Sequence, residues 1–349
     1  MHAHQQARVP GRIRRRHRGG HCDDQGRGIL IAQGPLRVSL FGGGSDLPAF
    51  LEQNQGAVLS FAIDRRVFVV GHPFTHREGV VLKYSISEDV AAAADLRHPI
   101  AREVLGRYGV TDIDIAIMSD VPAGTGLGSS SSFTVAFLAF VRHLCGQPST
   151  PVDLAREACE IEIEVLKEPI GYQDQWASAL GGINVIRFEG TSVEVESVGL
   201  RASQIAQLEQ NLFLVPVGKP RSAGNLLARQ GGSLTPGSSA EAVTRRMVAL
   251  VDRGRQALLE DVDGIGPLLD EAWALKREVA AGVSNPEVDV LYGQAIGAGA
   301  TGGKLLGAGG SGYLACYVPS ESHDRFLSTL PRHLDFMIST EGAGVIHES

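Results

Sequence analysis

No apolar run in this 349-residue chain approaches the length of a membrane span, although 43% of its residues are apolar. A bilayer core requires about 20 such residues in succession, so a soluble, cytoplasmic globular protein with no membrane partner is expected. The four cysteines, Cys22, Cys145, Cys159 and Cys316, are scattered and form no C-x-x-C pair. Three of them fall in apolar helix or strand patterns and read as reduced core filler. The phosphate-loop pattern G-x-x-x-x-G-K-[ST] is missing too. Lys304 follows Gly303, but Ala298 stands where the first glycine should be and Leu305 comes next. "GAGATG" from Gly297 and "GAGGSG" from Gly307 fit G-x-G-x-x-G, yet neither leads from a strand into a helix, which argues against a dinucleotide fold. No internal repeat is present.

Charge is distributed unevenly. Residues 1–28 hold seven arginines, no lysine and two acids, so this leader is +5 and the rest is −12 within a total of −7. The leader lacks the apolar centre of a signal peptide and has too little apolar surface to pack, so it is expected to be disordered and dispensable. Its arginines would suit a nucleic-acid arm, but an acidic body speaks against nucleic acid as the main partner.

From Ile29 onward the chain acquires structural periodicity. "PLRVSL" alternates Leu36, Val38 and Leu40 with Arg37 and Ser39, the pattern of a half-buried strand, and then breaks into glycines. "AVLSFAIDRRVFVVG" reads as a pair of strands with charges at the middle. "HPIAREVLGRYG" is a helix ending at Gly109. Thr150, Pro151 and Asp153 form a helix start, with a cap, a first-turn proline and an acid at the third position. That helix runs to about Lys167, and "QDQWASAL" carries a shorter one. Strands follow at "INVIRF", "VEVESV" and "LFLVPV". Residues 222–299 are mostly helical, and a glycine loop, a strand, a helix and a last strand close the chain. Irregular alternation of this kind implies an α+β fold in two lobes, with a boundary near residue 200.

The sharpest feature is "DVPAGTGLGSSSSF" at 120–133, between the strand pattern of Ile113, Ile115 and Ile117 and a long apolar helix. A glycine turn that opens a helix leaves backbone N–H groups converging on one spot, which favours an anion such as a phosphate.

Three glycine loops thus stand near the start, middle and end of the patterned chain, at 35–48, 122–132 and 302–313. In that order they resemble the motifs of the GHMP kinases, over about residues 29–346. "KYSISE", "HPIAREVL", "DVPAGTGLGSSSSFTVAFL" and "GYQDQWASALGG" resemble more closely the D-glycero-D-manno-heptose 7-phosphate kinases within that family. Ser311 departs from the glycine many relatives carry, and the leader has no counterpart.

The resemblance implies an N-terminal ATP-binding lobe over 29–200, like domain 2 of ribosomal protein S5, and a ferredoxin-like C-terminal lobe over 201–349. It implies an enzyme that uses ATP and Mg²⁺ to phosphorylate the anomeric hydroxyl of a heptose 7-phosphate, toward nucleotide-activated heptose. It places Pro122, Gly124, Gly126, Gly128, Ser129, Ser130 and Ser131 on ATP, and Ser130 and Glu162 on the metal. Glu160 and Glu164 stand beside Glu162 as solvated acids. Asp174 becomes the general base, with Arg37 approaching it to stabilise developing charge. Sugar contacts fall to Gly44, Ser45 and Asp46 of the first loop and to Gly309 and Gly310 of the third. Arg221 is the expected cation for the substrate phosphate, ahead of Lys219 and Arg102, and Lys304 is read as a solvated loop residue. An octose 7-phosphate or fucose are alternative acceptors, and a catalytically silent sugar sensor on the same fold is the alternative of another class. The partners expected are ATP and a small sugar phosphate, with a homodimer allowed.

Overall fold

Strand β1 (Leu30–Phe41) turns the alternation of its sequence into two functions. Leu36, Val38 and Leu40 are fully buried in the core, whereas Arg37 and Ser39 on the other face line a cavity. The computed structural model describes residues 28–147, 149–219 and 224–348. The leader up to residue 27 and Arg221 lie outside the described residues.

After the single turn α1 (Pro48–Leu51) comes β2 (Gly56–Pro73), which is one 18-residue strand rather than the expected pair. Its charged middle, Asp64 to Arg66, lies where the strand passes from one partner to another, and residues 335–339 meet these charges through Asp335, Met337 and Ser339. Next come β3 (Val80–Lys83), β4 (Ser87–Val90), α2 (Pro99–Tyr108) and β5 (Ile113–Ser119). Gly109 stops α2 in the left-handed region, as its position predicts.

Helix α3 (Ser129–Leu144) is buried on every side from Ser131 to Val141, which suits its apolar circumference. Helix α4 (Pro151–Cys159) carries the expected Thr150–Asp153 capping box. It continues as a π-helical turn, Glu160–Val165, in which Leu166 N bonds to Ile161 O at 2.9 Å. Then follow α5 (Gln173–Leu180), β6 (Ile183–Glu189) and β7 (Ser192–Ser197). Helix α6 (Ala202–Asn211), which the pattern reading left out, precedes β8 (Leu212–Val217).

Helices α7 (Gly224–Ser233), α8 (Ser239–Glu260), α9 (Ile265–Val279) and α10 (Pro286–Gly297) lead to β9 (Gly302–Leu305) and β10 (Gly312–Tyr317). Helix α11 (His323–Thr329) and β11 (Gly344–Glu348) end the described chain. The larger sheet has the order β11-β1-β2-β5-β3-β4, with β6 also on β2 and β7 on β6. The smaller sheet is β8-β10-β9, packed with Trp273, Val288 and Phe326. The fold is α+β, in two lobes, and α8 bridges them closely: a Cβ on Gly254 would meet Phe41 at 2.3 Å. No described helix is long and apolar enough to cross a membrane.

Cys159 and Cys316 are free and buried, as core filler should be. Cys145 corrects that reading. It stands at the C-terminal cap of α3, partly buried at the edge of the core rather than within it.

Candidate active site

The three glycine loops converge on one cavity of about 540 Å³. Gly124, Gly126 and Gly128 of the second loop all have φ between +76° and +81°, where an L side chain is strained. Gly128 is the N-cap of α3 and offers no side-chain cap. The first-turn amides of α3 therefore lack intrahelical partners beside a cavity lined by Ser129, Ser130 and Ser131.

Arg37 connects β1 to this loop. Its Nε and Nη2 donate to Oδ1 and Oδ2 of Asp174, both at 2.7 Å, and its Nη1 donates to Gly126 O at 2.6 Å. The Arg37 side chain is 4% exposed, while that of Asp174 keeps 23%. A buried fork of this type fixes both carboxylate oxygens. Asp174 lies in the first turn of α5 and lines the cavity.

The first loop presents Asp46. Its Oδ1 accepts from Gly44 N at 2.9 Å and Gln173 Nε2 at 3.2 Å, and its Oδ2 accepts from Gln173 N at 3.1 Å. Burial pushes its carboxyl up from the ordinary carboxylate range, with the charge of Asp174 adding to the effect. Gly44 lines the cavity with it. Ser45 does not, because its hydroxyl donates to Ala57 O at 2.9 Å and accepts from Ala57 N at 3.1 Å.

Glu162 projects inward from the π-helical turn and is 1% exposed, whereas Glu160 and Glu164 face solvent and Glu160 pairs with Arg107. Glu162 Oε1 accepts from Thr134 at 3.0 Å and Ser130 Oγ at 3.5 Å, and Oε2 accepts from Gln175 at 2.6 Å. Burial raises its pKa to about 7, against the pull of those hydrogen bonds.

The third loop packs on the second. A Cβ on Gly307 would meet Gly126 Cα at 2.4 Å, and one on Gly312 would meet Thr125 O at 2.4 Å. Gly307 and Ala308 line the cavity. Gly309 and Gly310 turn instead toward the α9–α10 connection, where Gly310 N donates to Val283 O and Gly310 O accepts from Asn285 Nδ2. Pro122 lies one residue outside the lining set, its carbonyl accepting from Thr125 Oγ1.

Lys304 corrects the expectation of a solvated loop residue. It belongs to β9, is 3% exposed, lines the cavity and donates to the carbonyls of Ser39 and Leu40. Lys276, which sequence reasoning missed, lines the same cavity from α9. Its signal was present: Ile265, Leu269, Ala272, Lys276 and Val279 form one buried helical stripe, on which a lysine is out of character. Gln173 and Gln230 also line the cavity, and nothing in the sequence pattern marks them. Of the other cations considered, Lys219 is exposed and Arg102 donates to Leu96 O, and neither borders the cavity.

The family description "GHMP kinases N terminal domain" matches residues 92–182, and "GHMP kinases C terminal" matches residues 247–333. The chain belongs to the GHMP kinases and is thus an ATP-using kinase. It is 27% identical to the D-glycero-alpha-D-manno-heptose 7-phosphate kinase of Campylobacter jejuni, covering 90% of this chain and 97% of that one. It is 28% identical to the bifunctional fucokinase/GDP-fucose pyrophosphorylase of Arabidopsis thaliana, covering 86% of this chain but 31% of that longer protein. Among solved structures, a D-glycero-D-manno-heptose 1-phosphate kinase from Bacteroides thetaiotaomicron superposes with a TM-score of 0.74 at 22% identity, over 92% of this chain and 99% of the other.

Proposed function

We propose that this protein transfers the γ-phosphoryl group of ATP to the anomeric hydroxyl of a heptose 7-phosphate. The observation that carries the reading is the Arg37–Asp174 fork, set beside the uncapped start of α3 within one cavity. Phosphoryl transfer needs cradled phosphates, an aligned hydroxyl and stabilised charge. The loop at Gly124–Ser131 supplies the cradle through its amides. Asp174 receives the hydroxyl proton, and Arg37 holds the carboxylate in one orientation while adding positive charge nearby. Asp46, held by three donors, accepts from sugar hydroxyls.

The donor set at Ser130 and Glu162 fits Mg²⁺, which takes one or two carboxylates and fills its shell with phosphates and water. The hydroxyl and carboxylate lie 3.5 Å apart, and Glu162 is a buried acid with no cation among its hydrogen-bond partners. When bound there, Mg²⁺ supplies charge neutralisation at the β- and γ-phosphates. The 27% identity to a heptose 7-phosphate kinase supports that acceptor, and the 28% match to a fucokinase-containing protein supports fucose as the second reading.

The test is ADP release measured with heptose 7-phosphate, heptose and fucose. Release that depends on heptose 7-phosphate supports the proposal. Release with fucose alone moves the acceptor to the second reading, and no sugar dependence across a wider panel favours a silent sugar sensor.

A further inference from the structure

Lys276 and Lys304 reach the cavity wall from different elements, one from α9 and the other from β9. Lys276 Nζ donates to Leu305 O at 2.8 Å and Gly307 O at 2.5 Å. Lys304 Nζ donates to Ser39 O at 3.1 Å and Leu40 O at 2.9 Å. An ammonium carries three donors, so each lysine keeps one N–H beyond these bonds. Neither has a carboxylate partner among the described residues. The third cation in the group, Arg37, is already neutralised by Asp174.

Holding loop carbonyls does not account for this pair. A neutral amide would make the same bonds without burying two like charges, which is costly when no counter-charge accompanies them. The cost is visible in their titration. Burial, then Lys304 and Arg37, hold Lys276 well below the ordinary lysine range, and burial with Arg37 brings Lys304 down to about 7. Two buried lysines on a cavity wall, each with a donor to spare once protonated, call for an anionic ligand that holds them charged. Their position narrows its nature. Lys276 grips Gly307, which abuts Gly126 of the second loop, and Lys304 is tied to the end of β1 just before the loop that carries Asp46. The pair therefore stands between the phosphate loop and the sugar loop.

Resting on the kinase reading above, we infer that Lys276 and Lys304 form a subsite for a phosphate ester, supplied either by the terminal phosphate of the nucleotide or by the phosphate the sugar already bears. The experiment uses Lys276→Gln and Lys304→Gln, which retain an N–H for the carbonyls and remove the charge. Calorimetric affinities are measured for two pairs of probes, ADP with AMP-PNP and heptose with heptose 7-phosphate. In one pair the member carrying the additional phosphate should lose on the order of 10-fold in affinity, with its counterpart unchanged, since a hydrogen bond to a charged group is worth about that much. The pair affected identifies the source. Melting curves establish that the variants fold. Should they not, wild-type crystals grown with AMP-PNP, heptose 7-phosphate or inorganic phosphate decide the matter, because a phosphate oxygen should lie within about 3.2 Å of one Nζ. Folded variants that bind all four probes like wild type, or crystals with every phosphate out of reach of both lysines, overturn the inference. If wild type binds neither sugar, the acceptor reading alone falls. The lysine subsite is then judged on the nucleotide pair and inorganic phosphate.

Discussion

A Cβ added to Gly171 would lie 1.9 Å from Oδ2 of Asp46. The backbone of 171 therefore lies too close for any side chain to the Asp46 carboxylate that Gln173 holds, and glycine is required there for space rather than for an unusual φ. Gly171→Ala should push Asp46 out of register. The overpacking is worth about 1–3 kcal/mol, so the sugar KM should rise on the order of 10-fold while nucleotide affinity stays put. Steady-state kinetics together with ADP titration test this. An unchanged sugar KM in a folded variant would remove Asp46 from substrate binding.

Asp174→Asn keeps the shape of the Arg37 fork but replaces one acceptor oxygen with an amide. General-base catalysis typically contributes on the order of 10²-fold, so kcat should fall by at least that factor with nucleotide affinity retained. Turnover close to wild type would leave alignment and electrostatics as the whole mechanism.

The three loops were legible because their signal is local: runs of glycine break off a strand pattern and permit turns that other residues resist, and a helix that opens at a glycine onto serines leaves unpaired amides at one spot. What escaped depends on distant partners. The charges at Asp64–Arg66 looked like a break between two strands, yet residues 335–339, far away in sequence, satisfy them within one strand. Lys304 looked solvated because its carbonyl partners, Ser39 and Leu40, are more than 260 positions away. The inward placing of Glu162 between two exposed acids was legible through the family resemblance alone, because the π-helical turn behind it, whose extra residue resets the facing of the helix, leaves no mark in the pattern.

Glu162 makes stability depend on pH in a defined direction. Its carboxyl titrates at about 7 in the fold against an ordinary 4.5, so between those values the folded state keeps a proton that the unfolded chain has released. Stability must then fall as pH rises through this window. The full cost at pH 8 is about 3 kcal/mol, taking about 1.4 kcal/mol for each pH unit. Glu162→Gln should flatten this dependence and be more stable than wild type at pH 8, while raising the Mg²⁺ concentration needed for turnover. Melting temperatures from pH 5 to 8 and a Mg²⁺ titration provide the check. A variant less stable than wild type at pH 8 would mean that the hydrogen bonds to the carboxylate outweigh its burial.

Gly307 and Gly310 share the left-handed region, with φ of +68° and +77°, but their surroundings differ. A Cβ on Gly307 meets the Gly126 backbone at 2.4 Å, whereas the nearest atom to one on Gly310 is Gly282 O at 3.5 Å. Alanine at either position costs about 1–2 kcal/mol for the backbone conformation alone. Only at 307 does it also press on the phosphate loop, so Gly307→Ala should weaken nucleotide binding on the order of 10-fold or more. Gly310→Ala should leave nucleotide affinity within about twofold, because its strain stays near the α9–α10 connection and the cavity wall is untouched. Nucleotide titrations of the two variants, matched for melting temperature, separate backbone strain from loop contact. Equal losses at both positions would show that the third loop acts as one rigid piece. A rise in sugar KM specific to Gly310→Ala would return Gly309 and Gly310 to the sugar site.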